Sequence, residues 1–243
     1  MRSLTALVTI AAAAGCGGKP GTTATTAATG AAAGVTATIE PLERTVPATE
    51  DTPEAHMRLP RVTVPGNPAA SAAINAALGA PATADQIEGT GDVGLDFEVA
   101  LNADGLLDVT LIHETLGAYP DSYFQHFLFD LTTGARLGGA DLFRAEAMAE
   151  LAALIDGKLQ AALAAARTER SDCVTDDEDP FQGAYTEAHL ADVGLSARGV
   201  EFRYDYDFPH AIQACEPADE FVLPLAEVRP YLRADGPLAR HAK

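Results

Sequence analysis

Regular alternation of apolar and polar residues begins at Val35. Val35-Thr36-Ala37-Thr38-Ile39 and the stretch from Met57 to Val64 carry the β-branched content and period-two pattern of strands. Pro60 interrupts the second, and a residue without an N–H is tolerated where a strand lacks a neighbour, so this strand is expected at a sheet edge. Asn67-Pro68 then opens a short helix through Ile74 and Leu78, with Asn67 as N-cap, Pro68 at the first helical position and Gly79 as the stop. Leu95, Phe97, Val99 and Leu101 alternate with polar or small residues, Asn102-Ala103-Asp104-Gly105 supplies a turn, and Leu107, Val109 and Leu111 alternate again; this predicts a hairpin. A third strand, Tyr123 to Leu131, puts Tyr123, Gln125, Phe127, Phe129 and Leu131 on one face and Phe124, His126, Leu128 and Asp130 on the other. Both faces carry apolar side chains, so this strand is expected to be central or covered by a helix.

Between Asp141 and Arg167, Met148, Leu151, Leu154, Ile155, Leu159 and Leu163 recur at spacings of three and four, which predicts one long helix lying across the sheet. After an acidic loop, Val200, Phe202, Tyr204 and Tyr206 alternate with charged residues, and Glu220 to Leu225 reads as the last strand. The order of elements predicts an α+β fold: a mostly antiparallel sheet packed by one long helix, with a smaller N-terminal strand and helix region. The folded domain is placed at 35–235, with an N-terminal subregion at 35–90 and a C-terminal one at 91–235.

The first 34 residues follow a different logic. Residues 1–15 read as a short secretory leader, with Arg2 as the charged start and Leu4 to Ala14 as the apolar stretch. Ala13-Ala14-Gly15-Cys16 resembles the bacterial lipobox, which makes Cys16 the expected site of lipidation; cleavage without lipidation and release is the competing reading. Residues 16–34 are almost wholly Gly, Ala and Thr and bury too little to order themselves, so they are expected to form a flexible tether. Attachment to the bacterial cell envelope would then come through the lipid alone, with the domain facing the periplasm or the exterior.

Charge narrows the partners. Lys and Arg number 16 against 35 Asp and Glu, for a net charge of −19. Such a field disfavours nucleic acid and anionic headgroups and attracts cationic proteins and divalent metals, although solubility alone also accounts for it. Cys173 and Cys215 are expected to form a disulfide in an exported protein, with two free buried thiols as the alternative.

No motif carries catalytic chemistry. Gly89-Thr-Gly91-Asp-Val-Gly94 has dinucleotide-site spacing, but an alternating strand follows where a helix is needed, so it reads as a loop. The six histidines show no metal-binding spacing, and the carboxylates of 172–179 lack the spacing and turn glycine of a calcium loop. No catalytic residue, metal site or cofactor is assigned. Tyr119, Tyr123, Tyr206 and Phe208 are candidates to line a recognition groove, since exposed aromatics give large contact area at small entropic cost; His126 and His210 join them as candidate ligand-binding residues. A place in the core is the alternative for each aromatic.

Three stretches in order resemble one known family. They are Leu59-Pro-Arg-Val-Thr-Val-Pro-Gly66 followed by Ile74-Asn75; Phe129-Asp-Leu-Thr-Thr-Gly134 leading to Asp141-Leu-Phe143; and Leu195-Ser-Ala-Arg-Gly-Val-Glu-Phe202 with Val222-Leu-Pro-Leu225. They are similar to the extracytoplasmic domain of RsiV-type anti-sigma factors, which is shared with PdaC-type deacetylases, as the non-catalytic part, and with uncharacterised bacterial lipoproteins. The resemblance spans Val35 to Leu232 and implies an envelope recognition module that binds a cell-wall component or a cationic protein such as a muramidase. Where the family carries Gly-Gly-Ala-His, this chain reads Leu116-Gly117-Ala118-Tyr119, so a contact made by that histidine does not carry over. A hydrolase acting on envelope glycan or peptide through unassigned carboxylates, and a structural lipoprotein, are the alternatives.

Overall fold

The computed structural model describes residues 34–50, 52–87, 92–116, 120–174 and 179–240, without the side chains of His210 and Arg240. The expected leader, Cys16, the tether up to residue 33, Gly89, Gly91, Tyr119 and residues 175–178 of the acidic loop lie outside the described residues. The fold is α+β. Nine strands are described: β1 (Thr38–Val46), β2 (Ala55–Thr63), β3 (Asp92–Ala103), β4 (Leu106–Leu116), β5 (Pro120–Asp130), β6 (Arg136–Leu137), β7 (Val193–Ser196), β8 (Gly199–Arg203) and β9 (Glu220–Leu223). The helices are α1 (Pro68–Ala77), α2 (Gly139–Leu142), α3 (Met148–Glu169) and α4 (Leu225–Val228).

Strands β1 to β6 form one sheet in sequence order, and β7 to β9 form a second. Every ladder is antiparallel except β2–β3, which runs parallel over His56 and Met57 only. β2 is therefore inside the sheet, not at its edge as Pro60 suggested. The correction has a local cause. Beyond Met57 the side of β2 facing away from β1 is taken by α1: the Val62 N–H donates to Asn75 Oδ1 and the Asn75 amide donates to the Val62 carbonyl, both at 2.8 Å, and the Val64 N–H donates to Ser71 Oγ at 2.8 Å. Pro60 shares that side by the period-two rule, so its missing N–H removes no bond to β1, where it lies opposite Pro41.

α1 begins and ends as the residues require. Asn67 Oδ1 accepts from the Ala70 N–H at 3.1 Å while its amide donates to the Thr132 carbonyl at 2.8 Å, and Gly79 follows with φ +66°. The β3–β4 turn is tight, with Asp104 and Gly105 both at positive φ, the geometry that follows the strand twist. The long helix covers its whole apolar stripe but starts later than the expected Asp141: α2 ends at Leu142, Phe143 makes an isolated bridge to Leu232, and α3 starts at Met148, the first residue of the stripe. The break exists because Arg144 N–H donates to the Tyr231 carbonyl and Arg233 N–H to the Leu142 carbonyl, both at 2.9 Å, replacing helical bonds with bonds to the C-terminal segment.

The six-stranded sheet is apolar on both faces and feeds two cores. On one, Val109, Leu111, Phe127 and Phe129 pack with Met57, Leu59 and with Ile74 and Leu78 of the α1 region. On the other, Leu106 and Leu128 join Val193, Val200, Phe202 and Leu223 of the second sheet and Leu151, Ile155, Leu159 and Leu163 of α3. The sheets meet where β7 runs beside β3, β4 and β5.

Candidate recognition groove

Beyond the point where β6 leaves it, β5 continues outward as a strand with little cover. Its residues Pro120 to Gln125 are exposed, and Tyr123 and Phe124 are 44% and 55% exposed. Leu116, opposite Pro120 on β4, is 54% exposed. Three of the five large exposed hydrophobic side chains among the described residues thus cluster on one projecting pair of strands, an arrangement that marks a contact surface more than scattered apolar exposure does.

A groove of about 470 Å³ separates this part of β5 from the segment that leaves β8. Phe124 and His126 form one wall. Arg203, Tyr204, Asp205 and Tyr206 of the segment leaving β8 line the groove as well, and His189, Asp192, Glu216 and Asp219 complete the polar lining. The rings on and behind that segment are continuous: Tyr185 to His189 at 4.9 Å, His189 to Tyr204 at 5.3 Å, Tyr204 to Tyr206 at 5.0 Å, Tyr206 to Phe208 at 5.6 Å and Phe208 to Phe181 at 6.0 Å between centroids. Asp207 follows Tyr206 with φ +50°, and its N–H donates to Asp205 Oδ1 at 2.9 Å, turning the chain so that Phe208 packs back on Tyr206. The Tyr206 hydroxyl donates to the Ala218 carbonyl at 3.0 Å.

The disulfide between Cys173 and Cys215, with Cα atoms 6.2 Å apart, joins the turn after α3 to the 3-10 turn His210–Cys215 that leads to Glu216. Arg170 reinforces that joint by donating to the Ala214 carbonyl at 3.0 Å and to the Glu216 carbonyl at 2.5 Å. The carboxylate wall of the groove is therefore anchored to the helix.

The carboxylates give the groove a negative potential. Burial holds the Asp192 carboxyl above the ordinary range, and Glu216 is raised by burial and by Asp205, Asp219 and Asp121. Burial, helped by Asp219, pushes the Tyr206 phenol up to about 12. Burial, with Arg203 and Arg136 nearby, pushes His126 down to about 4, so it is neutral at pH 7; its Nδ1 lies 3.0 Å from Thr110 Oγ1. Arg203, the cation in the lining, donates from its Nη2 to the buried Glu201 at 3.0 Å, while its buried Nη1 has no hydrogen-bond partner among the described residues. A group that brings positive charge would relieve the repulsion that Asp205, Asp219 and Asp121 exert on Glu216, and exposed rings add cation–π attraction.

The structure brings Tyr123, His126 and Tyr206 to the groove wall and Phe208 directly behind it. His210 starts the 3-10 turn beside the groove, and Tyr119 lies outside the described residues. Tyr204, His189, Asp192, Glu216 and Asp219 were not singled out by sequence. They come from separate segments, and only the Asp205-Tyr206-Asp207-Phe208 run announced an aromatic and acidic surface.

A second polar cluster sits on the other face of β4 and β5. His113 Nδ1 lies 2.9 Å from Asp92 Oδ2, His113 Nε2 lies 3.2 Å from Gln125 Oε1, and Tyr123 stacks on the imidazole at 4.3 Å. His113 and His126 thus point to opposite faces, and no group of three or more metal-ligating side chains occurs among the described residues.

The architecture is that of a two-sheet bacterial domain already seen in solved structures. A DUF3298 family member from Bacteroides fragilis covers 87% of this chain and 98% of its own length, with a TM-score of 0.56 at 15% identity. A DUF3298 protein from Pseudomonas aeruginosa covers 82% of this chain and 94% of its own length, with a TM-score of 0.44 at 18% identity. At these identities the first likeness establishes a DUF3298-type fold and nothing about activity. The sequence matches no family profile and no curated protein.

Proposed function

We propose that this chain is a recognition module of the bacterial cell envelope, tethered through lipidated Cys16, and that it binds a cationic protein such as a muramidase in the groove between β5 and the segment after β8. The observation that carries the reading is the convergence of Asp192, Asp205, Glu216 and Asp219 on a groove whose other wall is exposed Phe124. Lys and Arg side chains suit such a surface, because carboxylates supply charge and rings supply contact area. The net charge of −19 would steer a cationic partner toward the domain and speed encounter. The RsiV resemblance points the same way. Among the described residues, no helix is long and apolar enough to cross a membrane.

Calorimetric titration with a cationic muramidase at low and high salt tests the proposal. Binding that weakens steeply with salt, and falls at least tenfold in the Asp205→Asn, Glu216→Gln, Asp219→Asn triple variant, is expected. Equal affinity of the variant and the native chain would overturn it.

One observation favours a second reading. Asp192 and Glu216 both have raised carboxyls, the condition of a general acid in glycan hydrolysis. Release of soluble fragments from peptidoglycan by the native chain, lost in Asp192→Asn and in Glu216→Gln, would establish that reading in place of the first.

A further inference from the structure

Strand β5 has an open backbone edge beside the groove, and the directions of its peptide groups are fixed by bonds at its inner end. The Leu131 N–H donates to the Gly105 carbonyl at 2.8 Å, on the β4 side. The Asp130 N–H donates to the Ala135 carbonyl at 3.0 Å, and the His126 carbonyl accepts from Arg136 Nη2 at 2.7 Å, both on the opposite side. Because direction alternates along a strand, the N–H and C=O of Phe124 and Ser122 face that same outer side. β6 pairs only with Leu128 and Phe129 and does not reach them. The Ser122 N–H is satisfied by Asp121 Oδ1 at 2.8 Å. Among the described residues nothing bonds the Phe124 N–H or C=O on this edge.

Tyr123 and Phe124 point to opposite faces of β5, yet both border the groove, so the groove opens over the strand edge as well as over one face. An exposed edge flanked by apolar side chains is a template for one more strand. Two occupants fit the geometry of such an edge: a second copy of this chain and an extended segment of another protein. Charge decides between them. Two copies would bring Asp121 and Glu216 of each against those of the other within a pair of chains each carrying −19, whereas a basic segment neutralises them.

We infer that the edge of β5 around Phe124 takes an extended basic segment of a partner protein as an added strand, its main chain pairing with Phe124 and its alternate Lys or Arg side chains entering the groove toward Asp205, Glu216 and Asp219. This deepens the groove reading and rests on it: the carboxylates select charge, and the strand edge selects an extended backbone. Folded cationic surfaces that present no free strand are accordingly poorer ligands than peptides of equal charge.

The test uses the full chain and two synthetic probes: a capped hexapeptide of alternating lysine and valine, and its twin methylated at every backbone nitrogen, which keeps the charge but cannot donate main-chain hydrogen bonds. The unmodified peptide is expected to bind at least tenfold more tightly and to slow amide exchange at Phe124. Equal binding of the two would overturn strand addition and leave the groove reading standing. If neither binds, both fail. Concentration-dependent pairing of the chain with itself that protects Phe124, with no response to peptide, would replace the partner segment with a second copy.

Discussion

Asp108 of β4 reaches across to β7, where its Oδ2 accepts a hydrogen bond from the Leu195 N–H at 2.7 Å, tying the two sheets together at a residue 1% exposed. The other carboxylate oxygen has no partner among the described residues. Burial is the chief cause of its raised pKa, from 3.8 to about 6, against which the Leu195 bond and Arg203 act. An acid whose folded pKa lies above its unfolded one stabilises the fold fully below the unfolded value and loses that contribution as pH rises through the folded value. Asp108 therefore favours the fold below pH 3.8, and its contribution is lost by about pH 6. At about 1.4 kcal/mol per pH unit this difference is about 3 kcal/mol. Asp108→Asn is expected to be more stable relative to the native chain at pH 7.5 than at pH 4, by up to that amount, in denaturant titrations at the two pH values. A pH-independent difference would show that burial does not set this carboxyl.

His126 behaves in the opposite sense. Its pKa is depressed from 6.5 to about 4, so it contributes stability above pH 6.5 that is lost as pH falls toward 4. His126→Gln should flatten the loss of stability between those values, and following the imidazole by NMR should show no titration near pH 6.5.

Gly134 closes the turn after β5 at φ +75°, and a Cβ placed there would lie 2.7 Å from Ala70 Cα of α1. Both the positive φ and the close approach reject a side chain, so Gly134→Ala is expected to cost about 2 to 3 kcal/mol, measured by urea unfolding. The glycine of the Phe129-Asp-Leu-Thr-Thr-Gly134 stretch is thus explained by packing, as is its aspartate: Asp130 Oδ1 accepts from the Thr132 N–H at 2.7 Å.

Removing the disulfide should act on stability and on the groove together. Cys173 and Cys215 are 42 residues apart, and closing a loop of that length is worth about 4 kcal/mol by chain entropy. The Cys173→Ser, Cys215→Ser double variant should lose stability of that order and, where it remains folded, bind the cationic peptide more weakly, because the turn leading to Glu216 is released. Unchanged affinity in a folded double variant would separate the disulfide from the site.

Much of the fold could be read directly from local pattern. Asn67, Pro68 and Gly79 delimit α1 because capping chemistry is local, and the faces of β5 follow from alternation alone. Pro60 misled because its missing N–H points toward α1, a neighbour no local pattern announces. The helix break at Phe143 depends on hydrogen bonds to Tyr231 and Arg233, far along the chain, which nothing local to residues 141–147 announces; the apolar stripe itself begins only at Met148, where α3 starts. The site was legible only in its aromatics: Tyr123, His126, Tyr206 and Phe208 stood out by type, whereas Asp192, Glu216 and Asp219 are ordinary acids in an acidic chain until folding brings them together.

The most direct measurement of the central claim is amide chemical-shift mapping of the chain titrated with a cationic muramidase. The account predicts perturbations concentrated at residues 121–126, 189–192, 203–206 and 213–219, the positions lining the groove and its open edge. Perturbations confined to β1, β2 and α1, or none at saturating concentrations in low salt, would contradict it.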